Sequence, residues 1–191
     1  SQIMSIIDNG FSYQRRLTIV EGLRSTDIVR IINDSPHLTG MIEAIPDEGS
    51  LRPETYFYTY ATPRDDLISR MQQTQQIALA EAWVDRAKDL PYKTPQAALI
   101  MASIIEKEAS INADRRLVAA VLVNRLKRGM RLQSDPTVLY EAAASPQSPI
   151  PITKTHLKTK TPWNTYVIKG LPKTPICNPG EESLNAALNP A

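Results

Sequence analysis

The chain has 191 residues, 42% of them hydrophobic and 22% charged, an ordinary globular balance that suits one good-sized domain, with or without a small appendage. A net charge of +2 is too small to demand a polyanionic partner, and the single cysteine, Cys177, excludes an internal disulfide. No apolar run reaches the roughly 18–20 residues of a membrane span and no signal peptide opens the chain, but it starts abruptly at Ser1 and reads as an excised fragment whose anchoring segment lies elsewhere.

In chain order, Gln2–Ile7 reads as a short helix closed by Asn9-Gly10, and Arg16–Glu21 alternates as a strand does. Ser25-Thr26-Asp27 should cap a helix carrying Ile28, Val29, Ile31 and Ile32. Residues 35–61 are broken by prolines and glycines, with a strand at Thr55–Tyr60. Thr62 and Pro63 are placed to open a long helix that ends near Lys88. Thr94 and Pro95 open another, and Asp114–Arg128 a third, with Leu117, Val118, Val121, Leu122 and Leu126 on its inner face and Gly129 just beyond. Asp135-Pro136 starts a shorter helix. Residues 145–163 read as an exposed loop, Thr165–Lys169 as a strand, Leu171–Gly180 as an extended wall and Glu181–Leu188 as a last helix. The fold class is α+β, helix-rich with a few short strands.

The Thr94–Ser110 helix carries two glutamates with different placements. On a helical wheel counted from Ala97, Ala97, Met101, Ile104 and Ile105 form an apolar face, Glu108 falls at about 20°, in the middle of it, and Glu106 at about 180°. Glu108 is therefore expected among apolar groups, where desolvation suits a general acid, and Glu106 is expected to face away and be dispensable for chemistry. A second reading stays open on geometry alone: Glu108 could pair with Arg115 or Arg116 as a structural ion pair.

Few other chemistries are visible. His37 and His156 stand apart, so no metal site is read, and no glycine-rich phosphate loop implies a cofactor. Cys177 lies in a proline-rich loop without a histidine near it in sequence, a poor nucleophile candidate. The basic cluster of Arg115, Arg116, Arg125, Lys127, Arg128 and Arg131 has little aromatic interleaving and reads as a solvated helix face, not a nucleic-acid site. More suggestive are Arg131–Thr137, Thr161–Tyr166 and the Leu171–Gly180 wall, which mix flat apolar surfaces with amide, hydroxyl and carboxyl groups as a carbohydrate groove requires. Each also has a structural reading, with Asp135 as a helix cap, Trp163 and Tyr166 as core, and Asn178 as a turn residue.

As a set, these motifs resemble the endolytic murein transglycosylase family (MltG, YceG-like). The resemblance rests on Met101-Ala-Ser-Ile-Ile-Glu-Lys-Glu-Ala109, Val123-Asn-Arg-Leu126, Gly129–Val138, Asn164-Thr-Tyr166, Gly170-Leu-Pro172 and Pro175–Gly180, in that order, with Val20-Glu-Gly22, Glu48-Gly49 and Pro53–Tyr56 upstream. It covers roughly residues 17–191. Arg52 departs from it, standing where the family usually has an aromatic. The resemblance implies that a membrane helix and a LysM-like module precede this region, that residues 1–16 are the tail of that module, and that residues 17–191 are the catalytic domain without the family's C-terminal segment.

It further implies an envelope enzyme at the periplasmic face of a bacterial inner membrane, cutting peptidoglycan glycan strands internally with peptidoglycan synthases as partners and no cofactor. The active-site logic would be lysozyme-like, with Glu108 as the catalytic residue and Gln133, Asp135, Asn164, Tyr166 and Asn178 as substrate contacts. Two other readings remain: a muramidase, which needs a second carboxylate such as Asp135 or Glu54, and a non-catalytic glycan-binding or division-scaffold module.

Overall fold

A computed structural model describes residues 13–109, 111–142 and 151–191, so the expected Gln2–Ile7 helix lies outside the described residues. Strand β1 (Arg15–Thr18) runs antiparallel to β3 (Thr55–Tyr58), with Leu17 opposite Tyr56. Arg15 and Arg16 pair with Tyr58 and Phe57. Between them lie helix α1 (Ser25–Asp34) and the two-residue strand β2 (Leu38–Thr39), which pairs in parallel with β4 (Thr62–Pro63). Pro63 thus ends a strand as N-cap instead of opening the next helix, α2 (Arg64–Val84).

The remaining elements are helical: α3 (Pro95–Glu108), a 3₁₀ turn (Asn112–Asp114), α4 (Arg115–Lys127), α5 (Asp135–Ala142), α6 (Lys154–Lys158) and α7 (Glu181–Leu188). The fold is α+β with a helix-rich body, as the sequence implies. No helix among the described residues is long and apolar enough to cross a membrane.

Two apolar cores organise these elements. The first gathers Ile19, Ile28, Ile32, Leu51, Leu67 and Met71 between the strands, α1 and the first half of α2. The second surrounds α3 with Leu122, Leu132, Leu184 and Leu188, and takes Leu79, Ala82 and Trp83 from the far half of α2. Each large side chain buried there contributes about 1.5–3 kcal/mol, and α2 ties the two cores together by serving both.

Helix α3 is buried on every side: all residues from Ala98 to Ile105 are inside. Its opening follows the expected pattern, with Thr94 Oγ1 accepting from the Ala97 N–H at 3.2 Å and Pro95 at the first helical position. The apolar face inferred from periodicity, however, does not exist as a face, because a helix apolar around its whole circumference is a central one.

Three other expectations change. On α4 the buried residues are Arg115, Ala119, Leu122 and Val123, while Leu117 and Val121 are exposed. The part of residues 145–163 that is described is not all loop, because Thr153 and His156 form a capping box that starts α6. Thr165–Lys169 is no strand: the Val167 and Ile168 N–H groups both donate to the Asn164 carbonyl at 3.0 Å, which bends the chain into a turn.

Candidate active site

The two glutamates of α3 exchange the environments read from the wheel. Glu108, the last residue of the helix, is exposed. Its Oε1 accepts a hydrogen bond from the Ser134 hydroxyl at 2.6 Å, and Oε2 has no hydrogen-bonding partner among the described residues. Glu106 is the enclosed carboxylate, with its side chain 6% exposed. Its Oε1 pairs with Arg115 at 2.8 Å and its Oε2 accepts the Gly180 N–H at 2.9 Å. Arg115 therefore does make the structural ion pair considered for this helix, but with Glu106. The wheel misplaced the pair because Glu106 faces the seam between α4 and α7, a polar seam that periodicity cannot see.

Ser134 lies inside the Arg131–Thr137 motif, and the sequence alone does not mark it as a site residue. It is 1% exposed, and the loop that carries it is held by a chain of hydroxyls. The Ser134 N–H donates to Thr165 Oγ1 at 2.9 Å, the Thr137 hydroxyl donates to the Ser134 carbonyl at 2.6 Å, and the Thr137 and Thr165 hydroxyls lie 2.8 Å apart. The available signal was a serine directly before a helix that starts Asp-Pro, a position whose hydroxyl is normally occupied by a local partner.

Gln133 precedes it with φ of 53°, in the left-handed region that costs a non-glycine residue conformational energy. Its N–H donates to the Thr165 carbonyl at 3.1 Å. That twist lets Leu132 and Ser134 point inward while the Gln133 side chain stays exposed. Arg125 steadies the approach by donating from its guanidinium to the Leu132 carbonyl.

Asp135 opens α5, exposed, and accepts the Tyr166 hydroxyl at 2.5 Å. That bond, with burial and the nearby charges of Asp135 and Glu108, pushes the Tyr166 hydroxyl up to about 12, so it stays a proton donor at neutral pH. Gln133, Asp135 and Tyr166 thus gather around Ser134 and Glu108 as one polar surface.

Asn164 and Asn178 are placed differently. Asn164 is 1% exposed, and its amide donates to the His156, Leu157 and Thr159 carbonyls at 2.7–3.3 Å, closing the C-terminal end of α6. Its Oδ1 accepts the Tyr166 N–H at 2.9 Å, which sets where Tyr166 leaves the turn. Asn178 is fully buried: Oδ1 accepts the Leu51 N–H at 2.9 Å, and Nδ2 donates to the Leu23 carbonyl, Ser25 Oγ and Glu48 Oε1. Both amides are occupied by the protein itself.

Glu48 lies inside the same junction. Its Oε1 accepts the Ser25 N–H at 2.8 Å, at the start of α1, and its Oε2 accepts the Tyr140 hydroxyl at 3.2 Å. Burial pushes its carboxyl above the ordinary range, although these donors oppose the shift. Tyr140 in turn tilts against Trp163, with ring centroids 5.5 Å apart, and Trp163 Nε1 donates to Thr174 Oγ1 at 2.8 Å. Cys177 is buried, with Sγ 3.4 Å from the Ser103 carbonyl, and burial pushes its thiol up, against any nucleophilic role. Glu54 lines a groove with Arg52, Ile77, Glu81 and Glu181, between α2 and α7. Among the described residues no three His, Cys, Asp or Glu side chains gather as metal ligands would.

Comparison with known proteins agrees with the family resemblance. The YceG-like family matches residues 1–191. An endolytic murein transglycosylase of Bacillus subtilis (strain 168) is 40% identical over 149 residues, which is 76% of this chain and 39% of that protein. A second, from Streptococcus pneumoniae serotype 2 (strain D39 / NCTC 7466), is 31% identical over 145 residues, 74% of this chain and 26% of its own length. The chain therefore spans well under half the length of these curated relatives. The crystal structure of a yceG-like protein from Listeria monocytogenes superposes with a TM-score of 0.74 at 29% identity, covering 100% of this chain and 72% of that one. With the matched model, the ordered motifs and the shared architecture in agreement, the chain belongs to the YceG-like family.

Proposed function

We propose that this chain carries the catalytic part of an endolytic peptidoglycan lytic transglycosylase, cleaving the bond between N-acetylmuramic acid and N-acetylglucosamine within glycan strands and so limiting strand length. The observation that carries the proposal is Glu108: an exposed carboxyl at a helix end, one oxygen held by Ser134 and the other unpartnered among the described residues. The 40% identity to a protein named endolytic murein transglycosylase supplies the substrate class.

The reaction needs one proton carrier. Protonated Glu108 donates to the glycosidic oxygen as the C1–O bond breaks and the N-acetylglucosamine side leaves. The resulting carboxylate then takes the proton of the muramyl 6-hydroxyl, whose oxygen closes on C1 to give the 1,6-anhydro ring. Glu108 ends protonated and no water is consumed. Because the nucleophile is part of the substrate, its effective concentration is high and no second carboxylate has to activate water.

Ser134, donating to Oε1, steadies the carboxylate form between the two steps and leaves Oε2 for the substrate. Gln133, Asp135 and Tyr166 are the substrate contacts, with Tyr166 offering its backbone turn and ring beside Asp135. Asn164 and Asn178 serve the site by holding Tyr166 and the Leu171–Gly180 wall in place. The LysM-like character of residues 1–16, an anchor to the inner membrane and association with peptidoglycan synthases belong to the same proposal.

The muramidase reading keeps one specific observation, the Asp135 carboxyl beside the Glu108 surface. Digestion of purified peptidoglycan with the protein and with its Glu108→Gln variant, followed by mass spectrometry of the released ends, decides between them. Anhydro ends from the wild type, with release cut by roughly 10³-fold in the variant, are expected for a lost general acid. Reducing ends would establish a hydrolase, and unchanged release by Glu108→Gln would remove the proposed role altogether.

A further inference from the structure

We propose that Glu106 and Arg115 form the positioning pair of the reaction: they fix the rotation of the last turn of α3 and thereby aim Glu108 at Ser134 and the substrate. The inference rests on the catalytic reading of Glu108, but its geometry is independent of the chemistry.

The packed part of α3 ends at Ile105. Beyond it the described anchors are few. The Ala109 N–H donates to the Ile105 carbonyl at 2.9 Å, and Lys107 reaches the Gly22 carbonyl at 3.4 Å from an exposed position. Among the described residues, Glu108 has only its bond to Ser134. Glu106 is the strong tie, because each of its oxygens is engaged and both ion-pair partners are enclosed. Arg115 passes the tie on, its Nε donating to Ser183 Oγ at 2.9 Å, so one carboxylate joins the end of α3 to the start of α4 and the first turn of α7. Residues two apart on a helix point about 200° from one another. Holding Glu106 on the closed side therefore sets the direction of Glu108 on the open side.

The arrangement is also a poor way to gain stability. Arg115 Nη1 is buried with no hydrogen-bonding partner among the described residues. Glu21, 3.7 Å from Arg115, has its carboxyl pushed up by burial and then by the Glu106 charge, so two carboxylates compete for one guanidinium. A buried ion pair with an unsatisfied donor is often matched or exceeded in stability by apolar residues of similar size. What apolar residues cannot supply is the directional hold on the helix end.

That difference gives the test. The 191-residue chain is compared with Glu106→Gln and with the double variant Glu106→Gln/Arg115→Met, which removes both buried charges. Thermal unfolding is measured beside kcat and KM on soluble uncrosslinked glycan strands. The single variant is expected to lose stability, and the double variant to recover most of it. In both, kcat should stay lowered by about 10-fold or more while KM holds within about twofold, the signature of a misaimed catalytic group rather than lost binding. A purely structural pair predicts that activity returns with stability, so a folded double variant within about twofold of wild-type kcat overturns the proposal.

Should the wild type itself release no anhydro ends, the catalytic reading fails, and positioning is then read directly. The side-chain carboxyl ¹³C resonance of Glu108 should move in the double variant while those of distant carboxyls do not. An unmoved Glu108 resonance overturns it.

Discussion

The two flanks of the C-terminal turn of α3 hold one glutamate each and solve opposite problems. On the closed flank, Glu106 meets a guanidinium, a backbone N–H and, through Arg115, a serine hydroxyl, and the carboxylate is lost to solvent. On the open flank, Glu108 is exposed and meets one hydroxyl, with no hydrogen-bonding partner for its second oxygen among the described residues. Charge is neutralised at the joint between helices and left exposed on the other flank, where the proposed mechanism moves a proton. The lesson is that two identical side chains two residues apart take their roles from what packs beside them.

The largest effect is expected on the closed flank. Arg115→Ala would leave the Glu106 carboxylate buried without a counter-charge, and because both side chains are more than nine-tenths enclosed, solvent screens little of the loss. Unfolding in urea should show a loss of about 3–5 kcal/mol. A loss below about 1 kcal/mol would mean that the two flanks do not differ in the way described.

On the open flank the effect should fall on activity. Ser134→Ala removes one hydrogen bond to a charged acceptor, a contribution of about 1.5–3 kcal/mol, so kcat should fall roughly 10- to 100-fold. A steady-state comparison on glycan strands tests this, and an unchanged rate would show that Ser134 does not steady the carboxylate.

The smallest effect sharpens the electrostatics. The first cause of the raised Tyr166 hydroxyl is its bond to Asp135, followed by burial and the charges of Asp135 and Glu108. An anion beside a phenol opposes loss of its proton, so Asp135→Asn should lower the Tyr166 titration midpoint from about 12 toward the ordinary tyrosine range. The ring ¹³Cζ resonance followed against pH reports it. A midpoint that stays near the wild-type value would mean that burial and the Glu108 charge set it without Asp135.

Legibility in the sequence followed the range of the interaction. Where one residue and its near neighbours decide, the reading held: Thr94-Pro95 opens α3 and Glu181 begins α7. Thr165–Lys169 had the composition of a strand, yet a strand needs a partner, and the Asn164 carbonyl took its N–H groups instead. The family resemblance implies Asn164 and Asn178 as substrate contacts, but their amides are taken by carbonyls of α6 and by residues more than a hundred positions away. Ser134 meets the Glu108 carboxylate across 26 residues of sequence.

By itself the sequence determined the helix-rich class, the order of the motifs and the presence of a glutamate pair at the end of one helix. Hydrogen-bonding caps, proline placement and residue identity act over a few positions and are written locally. Only the tertiary structure decided which glutamate is enclosed and which is open. Helix α3 is apolar all round and has no face for periodicity to find, so the direction of its last turn is set by Arg115, Gly180 and Ser134, which reach it from three other segments of the chain.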